Sequence, residues 1–362
     1  MNPEALRAAL VETLRSSGRL SSPAIAKAFA RVPRHLFVPE ASLEEAYRDT
    51  VIPTKRQPDS EVISSSSQPE IMAIMLDQLD LRPGQRVLEI GAGTGYNAAL
   101  IAHVVGETGR VTTIDLDDDI VASARVHLAA AGVTGVRVVC ADGWAGCAED
   151  APFDRIILTV GAHDISPAWR AQRRPGGRLV LPLALPSVQA SVAFAERGGA
   201  LESLWTPGKS LSTGLVAHAR ELYAELIAWV GLREPTSGWF VAQGEAMATN
   251  LVPPFVGDGK EARATYGLFE PGGVALFVRE ATPPEGADGG VSIGIRVHGD
   301  AALGERLRRN ALAWSDAGRP ERQRLRIHAS PIESPGEPGP QQFVLTRPHT
   351  RLVLEWMPAA RE

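Results

Sequence analysis

The stretch VLEIGAGTGYNAALIA, residues 87–102, carries the densest chemistry in the chain. An apolar run passes through Glu89 into Gly91-x-Gly93-x-Gly95, with Thr94 between two glycines and Tyr96 after them. Glycines there let the backbone turn sharply and let a ligand approach the main chain. Open amides at the start of the following helix suit polar or anionic groups. A dinucleotide fingerprint sets its third glycine one position later, as G-x-G-x-x-G, so this spacing departs from that class. Asp115 stands 24 positions beyond Gly91, at the expected end of the next strand, where a carboxylate can grip ribose hydroxyls. Asp142-Gly143 follows the third strand, where a carboxylate can accept the amino group of adenine. The set describes a pocket for S-adenosyl-L-methionine better than one for a nicotinamide dinucleotide.

The second candidate cluster is the serine run of VISSSSQPE, residues 62–70. Serine clusters ordinarily mark loops and linkers. Ser67-x-x-Glu70 also fits a capping box, with Ser67 capping the next helix and Glu70 reaching back to it. Other polar residues are weaker candidates. His163 and Asp164 of GAHDIS follow a strand end near the expected cofactor mouth and read first as a solvated loop pair. Trp144 stands where it would either cover adenine or pack in the core. His35, Cys140 and Cys147 read as structural. Nothing in the sequence has the spacing of a metal site.

These groups need elements to hold them. Periodicity predicts helices over 3–17, from Ser22-Pro23, over 69–79, 97–105, 118–131 and 166–173. Strands are expected at 86–90, 110–115, 136–140, 155–160 and 178–182, with a turn at PGG, residues 175–177. Strands alternating with helices predict an α/β fold, a doubly wound, mostly parallel sheet covered on both faces. Beyond residue 183 the alternation weakens. β-like stretches are expected at 188–195, 201–206, 273–279, 291–297, 323–328 and 351–356, with a helix over 301–314. The division expected is a nucleotide-binding domain over 1–220 and a smaller α+β region over 221–362.

The totals bound the class. The chain has 362 residues, 44% of them hydrophobic, with a net charge of −5 and two cysteines. That charge gives no case for nucleic acid or an anionic membrane as partner. The low cysteine count, an N-terminus unlike a signal peptide and no apolar run of membrane-spanning length lead to an expectation of a soluble cytoplasmic protein.

Further motifs occur in order along the chain: RVPRHLFVPE at 31–40, SQP at 67–69, RVLEIGAGTGY at 86–96, ADG at 141–143, APFDRIILTVGA at 151–162 and RPGGRLVLPL at 174–183. Together they resemble the protein-L-isoaspartate O-methyltransferase family over roughly residues 5–205. The resemblance implies a Rossmann-like class I methyltransferase fold, S-adenosyl-L-methionine as donor with S-adenosyl-L-homocysteine as product, and a polypeptide carboxylate as acceptor. It also implies that a serine of an I-S-x-P segment hydrogen-bonds the acceptor. Ser67 inherits that role by its place before Gln68-Pro69, and Ser64 is the alternative by its place after Ile63. An acceptor carboxylate is ionised at neutral pH, so positioning can carry catalysis without a general base.

Two departures stand out. The stretch VIPTKRQPDSEVISSSSQP, residues 51–69, replaces the family's glycine-rich GxGQT-like segment, and about 150 residues follow the usual end of the family. Both resemble the variant methyltransferases of lanthipeptide and graspetide clusters. That likeness implies an aspartate of a cyclised ribosomal peptide as acceptor, its ester closing to an aspartimide, with 221–362 recognising the peptide. The alternatives are general repair of isoaspartyl residues in damaged proteins and a non-catalytic, cofactor-retaining peptide-binding module.

Overall fold

The computed structural model describes residues 2–204, apart from 57–61 and 186–187. Beyond them it describes the strands named below, residues 301, 302, 304, 305 and 308, and the stretches 325–334 and 342–356.

The N-terminal helices form where their caps predict. Asn2 accepts the amide of Glu4 to start α1 (Pro3–Ser16), and Ser22 accepts that of Ile25 to start α2 (Pro23–Arg31). Both carry proline at the first helical position, where the missing N–H costs nothing. A 3₁₀ turn, Arg34–Phe37, and the short α3 (Leu43–Ala46) lead to a hairpin, β1 (Ile52–Arg56) and β2 (Val62–Ser66).

From there strands and helices alternate: α4 (Pro69–Leu79), β3 (Arg86–Ile90), α5 (Tyr96–Val105), β4 (Arg110–Asp115), α6 (Asp118–Ala130), β5 (Val136–Cys140), β6 (Phe153–Leu158), α7 (Pro167–Gln172) and β7 (Arg173–Leu185). Strands β7-β6-β3-β4-β5 are neighbours in that order and parallel throughout. The chain thus builds outward from β3 through β4 to β5 and returns to the other side of β3 with β6. Such a reversal opens a crevice beyond the carboxyl ends of the two central strands. Val87, Leu88, Ile156 and Ile157 are buried between the helical layers, as expected of a parallel sheet covered on both faces. The α/β fold predicted from the sequence is present. The PGG segment at 175–177 lies inside β7, where the pairing with β6 shifts register between Phe153 and Arg155.

Strands β8 (Val188–Arg197) and β9 (Ala200–Ser203) continue the sheet antiparallel. Short strands β10 (Phe240–Val241), β11 (Leu251–Val252), β12 (Phe255–Val256), β13 (Gly267–Glu270), β14 (Gly273–Glu280) and β15 (Ser292–Gly299) follow, with β11-β13-β14-β15 forming a separate antiparallel sheet. Then β16 (Leu325–Pro331), β17 (Gln342–Thr346) and β18 (Thr350–Trp356) return to the main sheet, β16 pairing with β9. The complete order is β17-β18-β16-β9-β8-β7-β6-β3-β4-β5. The boundary expected near residue 220 and most of the helix expected over 301–314 lie outside the described residues. Strands Leu325–Pro331, Gln342–Thr346 and Thr350–Trp356 extend the main sheet itself.

Candidate active site

A cleft of about 220 Å³ opens at the carboxyl ends of β3, β4 and β6. Its wall takes Gly91, Ala92, Gly93, Thr94, Tyr96 and Asn97 from the glycine turn and Asp115 from the end of β4. Thr159 and Val160 come from the end of β6, with Ile120 and Met72 beside them. Val62, Ile63 and all four serines, Ser64 to Ser67, form the remaining wall. The serine run is therefore half of a hairpin laid over the glycine turn rather than a linker.

The turn is rigidly tied. Gly91, Gly93 and Gly95 have φ of 100°, 49° and 83°, values that strain any residue with a Cβ. The Thr159 hydroxyl donates to the Gly91 carbonyl at 2.6 Å, and a Cβ on Gly91 would lie 2.4 Å from that oxygen. The Gly91 and Ala92 amides both donate to Ile114, that of Gly93 to Asp115 Oδ2 at 2.9 Å, that of Gly95 to Ala92 and that of Tyr96 to Thr94 Oγ1. Five main-chain donors of the turn are thus committed within the protein, while the amides of Asn97 and Ala98 at the start of α5 take no partner among the described residues.

Asp115 is held by two amides, Gly93 on Oδ2 and Leu116 on Oδ1, each at 2.9 Å. Each carboxylate oxygen keeps a further lone pair for a ligand hydroxyl. Glu89 lies one layer behind the wall. It is fully buried and off the cleft wall, with Oε1 accepting from Asn97 at 2.7 Å and Oε2 from Thr113 at 2.5 Å. Burial pushes its carboxyl up to about 7, against the two hydrogen bonds that favour the charged form. It holds the side chain of Asn97, a residue of the cleft wall whose Oδ1 is buried without a protein donor. Gly95, Asp142 and Gly143 also lie off that wall. Asp142 Oδ1 caps a 3₁₀ turn by accepting the Trp144 amide, and Ile90 packs where a Cβ on Gly143 would stand. Tyr96 meets the cleft at the helix start, while its ring is buried between Phe29 and Phe37. Trp144 stacks edge-on against Trp169.

The hairpin is pinned on two sides. Arg34 is fully buried and donates to the carbonyls of Ala46, Arg48, Thr50 and Ser67 and to Ser66 Oγ. Burial lowers its pKa. Lys55 of β1 reaches Asp117 at 2.9 Å and Asp119 at 2.8 Å, at the start of α6. Within the run, Ser64 Oγ accepts from Thr54 at 3.2 Å and Ser66 Oγ from Arg34. Among the described residues, the hydroxyls of Ser65 and Ser67 keep no such partner. The capping box expected of Ser67 and Glu70 is absent. Helix α4 begins at Pro69 after Gln68 with no side-chain cap, Asp49 Oδ1 accepts the Glu70 amide at 2.9 Å, and the Glu70 carboxylate pairs with Arg19. Sequence reasoning missed Arg34, Asn97, Thr159 and the β1–β2 pairing. The one local signal was the pair of prolines around Arg34 in RVPRHLFVPE.

The residues on the wall fit the donor that the sequence suggested. A carboxylate, an amide side chain, hydroxyls and apolar Ile120 and Met72 suit an adenosyl group bearing an amino acid. A family model for protein-L-isoaspartate(D-aspartate) O-methyltransferase matches residues 5–203, more than half of the chain. The chain belongs to the protein-L-isoaspartate O-methyltransferase family. Enzymes of that name from Methanopyrus kandleri and Thermotoga maritima are 42% and 39% identical to it over 178 and 171 residues. Those matches cover 49% and 47% of this chain and 76% and 53% of the relatives. A solved protein-L-isoaspartate O-methyltransferase, 28% identical, superposes with a TM-score of 0.54 over 89% of this chain and 96% of its own.

As a family member the protein is a carboxyl O-methyltransferase with S-adenosyl-L-methionine as donor, which removes the non-catalytic module. The superposition also runs well past residue 203. A long C-terminal region is therefore shared with a protein-L-isoaspartate O-methyltransferase and is no mark of a peptide-cluster variant. Among the described residues no helix is long and apolar enough to cross a membrane. Among them, too, no group of three or more His, Cys, Asp or Glu is placed to hold a metal ion.

Proposed function

We propose that this protein methylates the free carboxylate of isoaspartyl residues in proteins and peptides. The observation that carries this reading is the pair of uncommitted hydroxyls, Ser65 and Ser67, on the cleft wall that also holds the glycine turn and Asp115. An isoaspartyl carboxylate is ionised at neutral pH and needs hydrogen-bond donors to orient one oxygen, not a base. Hydroxyls at the cleft provide such donors without a competing charge.

When bound, the donor would supply a methyl group on a sulfonium for transfer to the carboxylate oxygen. Each protein group then has one task. Asp115 would hold the ribose hydroxyls, and Asn97, held by Glu89, would accept from the donor's ammonium. Thr159 fixes the carbonyl of Gly91 and so the position of the turn. Ser67 and Ser65 orient the acceptor. Val62, Ile63 and Val160, each more than 40% exposed, form an apolar rim that a seated polypeptide covers. Excluding water there strengthens the attraction between carboxylate and sulfonium.

The narrower reading, an aspartate of a cyclised ribosomal peptide that closes to an aspartimide, rests on the β1–β2 hairpin alone, since the C-terminal length no longer favours it. Incubation with donor and two acceptors, a linear isoaspartyl peptide and its aspartyl twin, tests the choice. Turnover of the isoaspartyl peptide alone supports repair. Turnover of neither, with activity on a cyclised aspartyl peptide, supports the narrower reading.

A further inference from the structure

We infer that the C-terminal hairpin β17–β18 is a working part of the active site, bracing the segment 159–166 that presents Thr159 and Val160 to the cleft. Asp164 and Thr350 are its positioning residues. The inference concerns how that wall is held; its kinetic arm alone rests on the carboxyl-methylation reading.

Segment 159–166 leaves the sheet at the end of β6 and is irregular, with one isolated bridge, Ala162 to Leu183. Its near end is fixed by the Thr159 amide on Ile90 and the Thr159 hydroxyl on Gly91. Its far end is fixed from the other end of the chain. Asp164 is 6% exposed. Its Oδ1 accepts the Ile165 amide at 2.8 Å and its Oδ2 the His349 amide at 2.7 Å. The fully buried Thr350 donates its hydroxyl to the Ile165 carbonyl at 3.2 Å.

Two arginines tie the same seam. Arg347 donates to the Ala184 carbonyl at 2.9 Å and Arg170 to the Ala329 carbonyl at 3.2 Å. The His349 ring lies 5.4 Å from that of Trp144. A carboxylate is costly to bury unless it is hydrogen-bonded, and the second oxygen of Asp164 gets its partner from a residue 185 positions away. The His163-Asp164 pair therefore splits: His163 is exposed, and Asp164 holds the brace. Releasing residues 349–350 would leave the segment held at Thr159, at the Ala162 bridge to Pro182 and Ala184 and at Ser166 on the Trp144 carbonyl. Oδ2 of its buried carboxylate would be unpaired, and the stretch between those anchors, Val160 included, freer to move. The glycine turn would keep its bonds to Ile114 and Asp115, so the acceptor side of the cleft should suffer more than the donor side.

The test uses the full chain with Thr350→Val, which removes one buried hydroxyl and keeps the shape, and Asp164→Asn as a second variant. Amide hydrogen exchange is followed without substrate. In each variant, amides of residues 160–165 should exchange about fivefold faster or more, while those of β3 and β4 stay within about twofold of wild type. Acceptor KM should rise with donor affinity, measured by calorimetry, unchanged. No change in residues 160–165, or an equal acceleration across β3, β4 and the segment, would overturn the inference. So would a loosened segment with unaltered acceptor KM. A wild-type enzyme inactive on isoaspartyl peptides would sink the substrate reading and leave the exchange result standing.

Discussion

Arg34 Nη2 donates to the main-chain oxygen of Ser67 at 3.0 Å, across 33 positions of sequence. The same guanidinium holds Ser66 Oγ at 3.3 Å and the carbonyls of Ala46, Arg48 and Thr50. One buried cation thus sets where the serine wall stands relative to the glycine turn.

Replacing Arg34 by methionine should therefore destabilise the fold. It removes the partner of four carbonyls and a hydroxyl in a dry interior. The expected cost is about 3–5 kcal/mol, the range for breaking a buried charged network. Urea unfolding of the variant and wild type measures it. A loss typical of a surface substitution would refute the assignment.

Ser67 should behave as an acceptor-orienting group, not as a helix cap. Ser67→Ala is expected to lower kcat roughly 10- to 100-fold, the value of a hydrogen bond to a charged group, with donor affinity unchanged. Because Asp49 and not Ser67 serves the start of α4, its melting temperature should stay at the wild-type value. Ser65→Ala should show a smaller effect of the same kind. Ser64→Ala, whose hydroxyl already faces Thr54, should show the least.

Asn97 makes a sharper claim about the donor. Its orphaned Oδ1 predicts that Asn97→Ala weakens S-adenosyl-L-homocysteine roughly tenfold or more. The same substitution should leave the affinity of the deaminated analogue unaltered. Calorimetry with the two ligands reads the difference directly. Equal losses for both would place the amide elsewhere in the donor's surroundings.

Glu89 gives a pH dependence. Its folded carboxyl titrates at about 7 and its unfolded one near 4.5. The folded state therefore holds a proton that the unfolded state has already lost across that interval. Stability should fall as pH rises from about 4.5 to about 7, then level off. The fall is of the order of 3 kcal/mol, from 1.36 kcal/mol per unit of displacement. Glu89→Gln can keep both partners, since Thr113 can reverse its hydroxyl, and should flatten that decline. Chemical denaturation at a series of pH values tests it, and an unaltered slope would refute it.

The glycine turn, Asp115 and the alternation around them were legible because each is a local pattern: three spaced glycines, a strand end, a helix period. The hairpin was not. Pro53, Lys55 and four serines have little strand propensity, and the pairing is irregular, with bulges at Lys55. Its stability comes from Arg34 and from Asp117 and Asp119, none of them neighbours in sequence. The false capping box at Ser67 has the same cause. The pattern S-x-x-E was present, but Asp49 and Arg19, brought there by the fold, had taken both ends. Glu89 was legible beside the turn, but nothing in sequence shows that Asn97 and Thr113 would close over it. The return of β16–β18 to the main sheet depends on pairing between residues more than a hundred positions apart, such as His328 with Glu202.

Carboxyl methylation of an isoaspartyl residue is the reaction to be tested first. Its most direct test is the mass of a linear isoaspartyl peptide after incubation with the enzyme and S-adenosyl-L-methionine. A gain of one CH₂ that mild base removes is expected, with no gain on the aspartyl twin. A base-stable gain, or transfer to the aspartyl peptide alone, would contradict it.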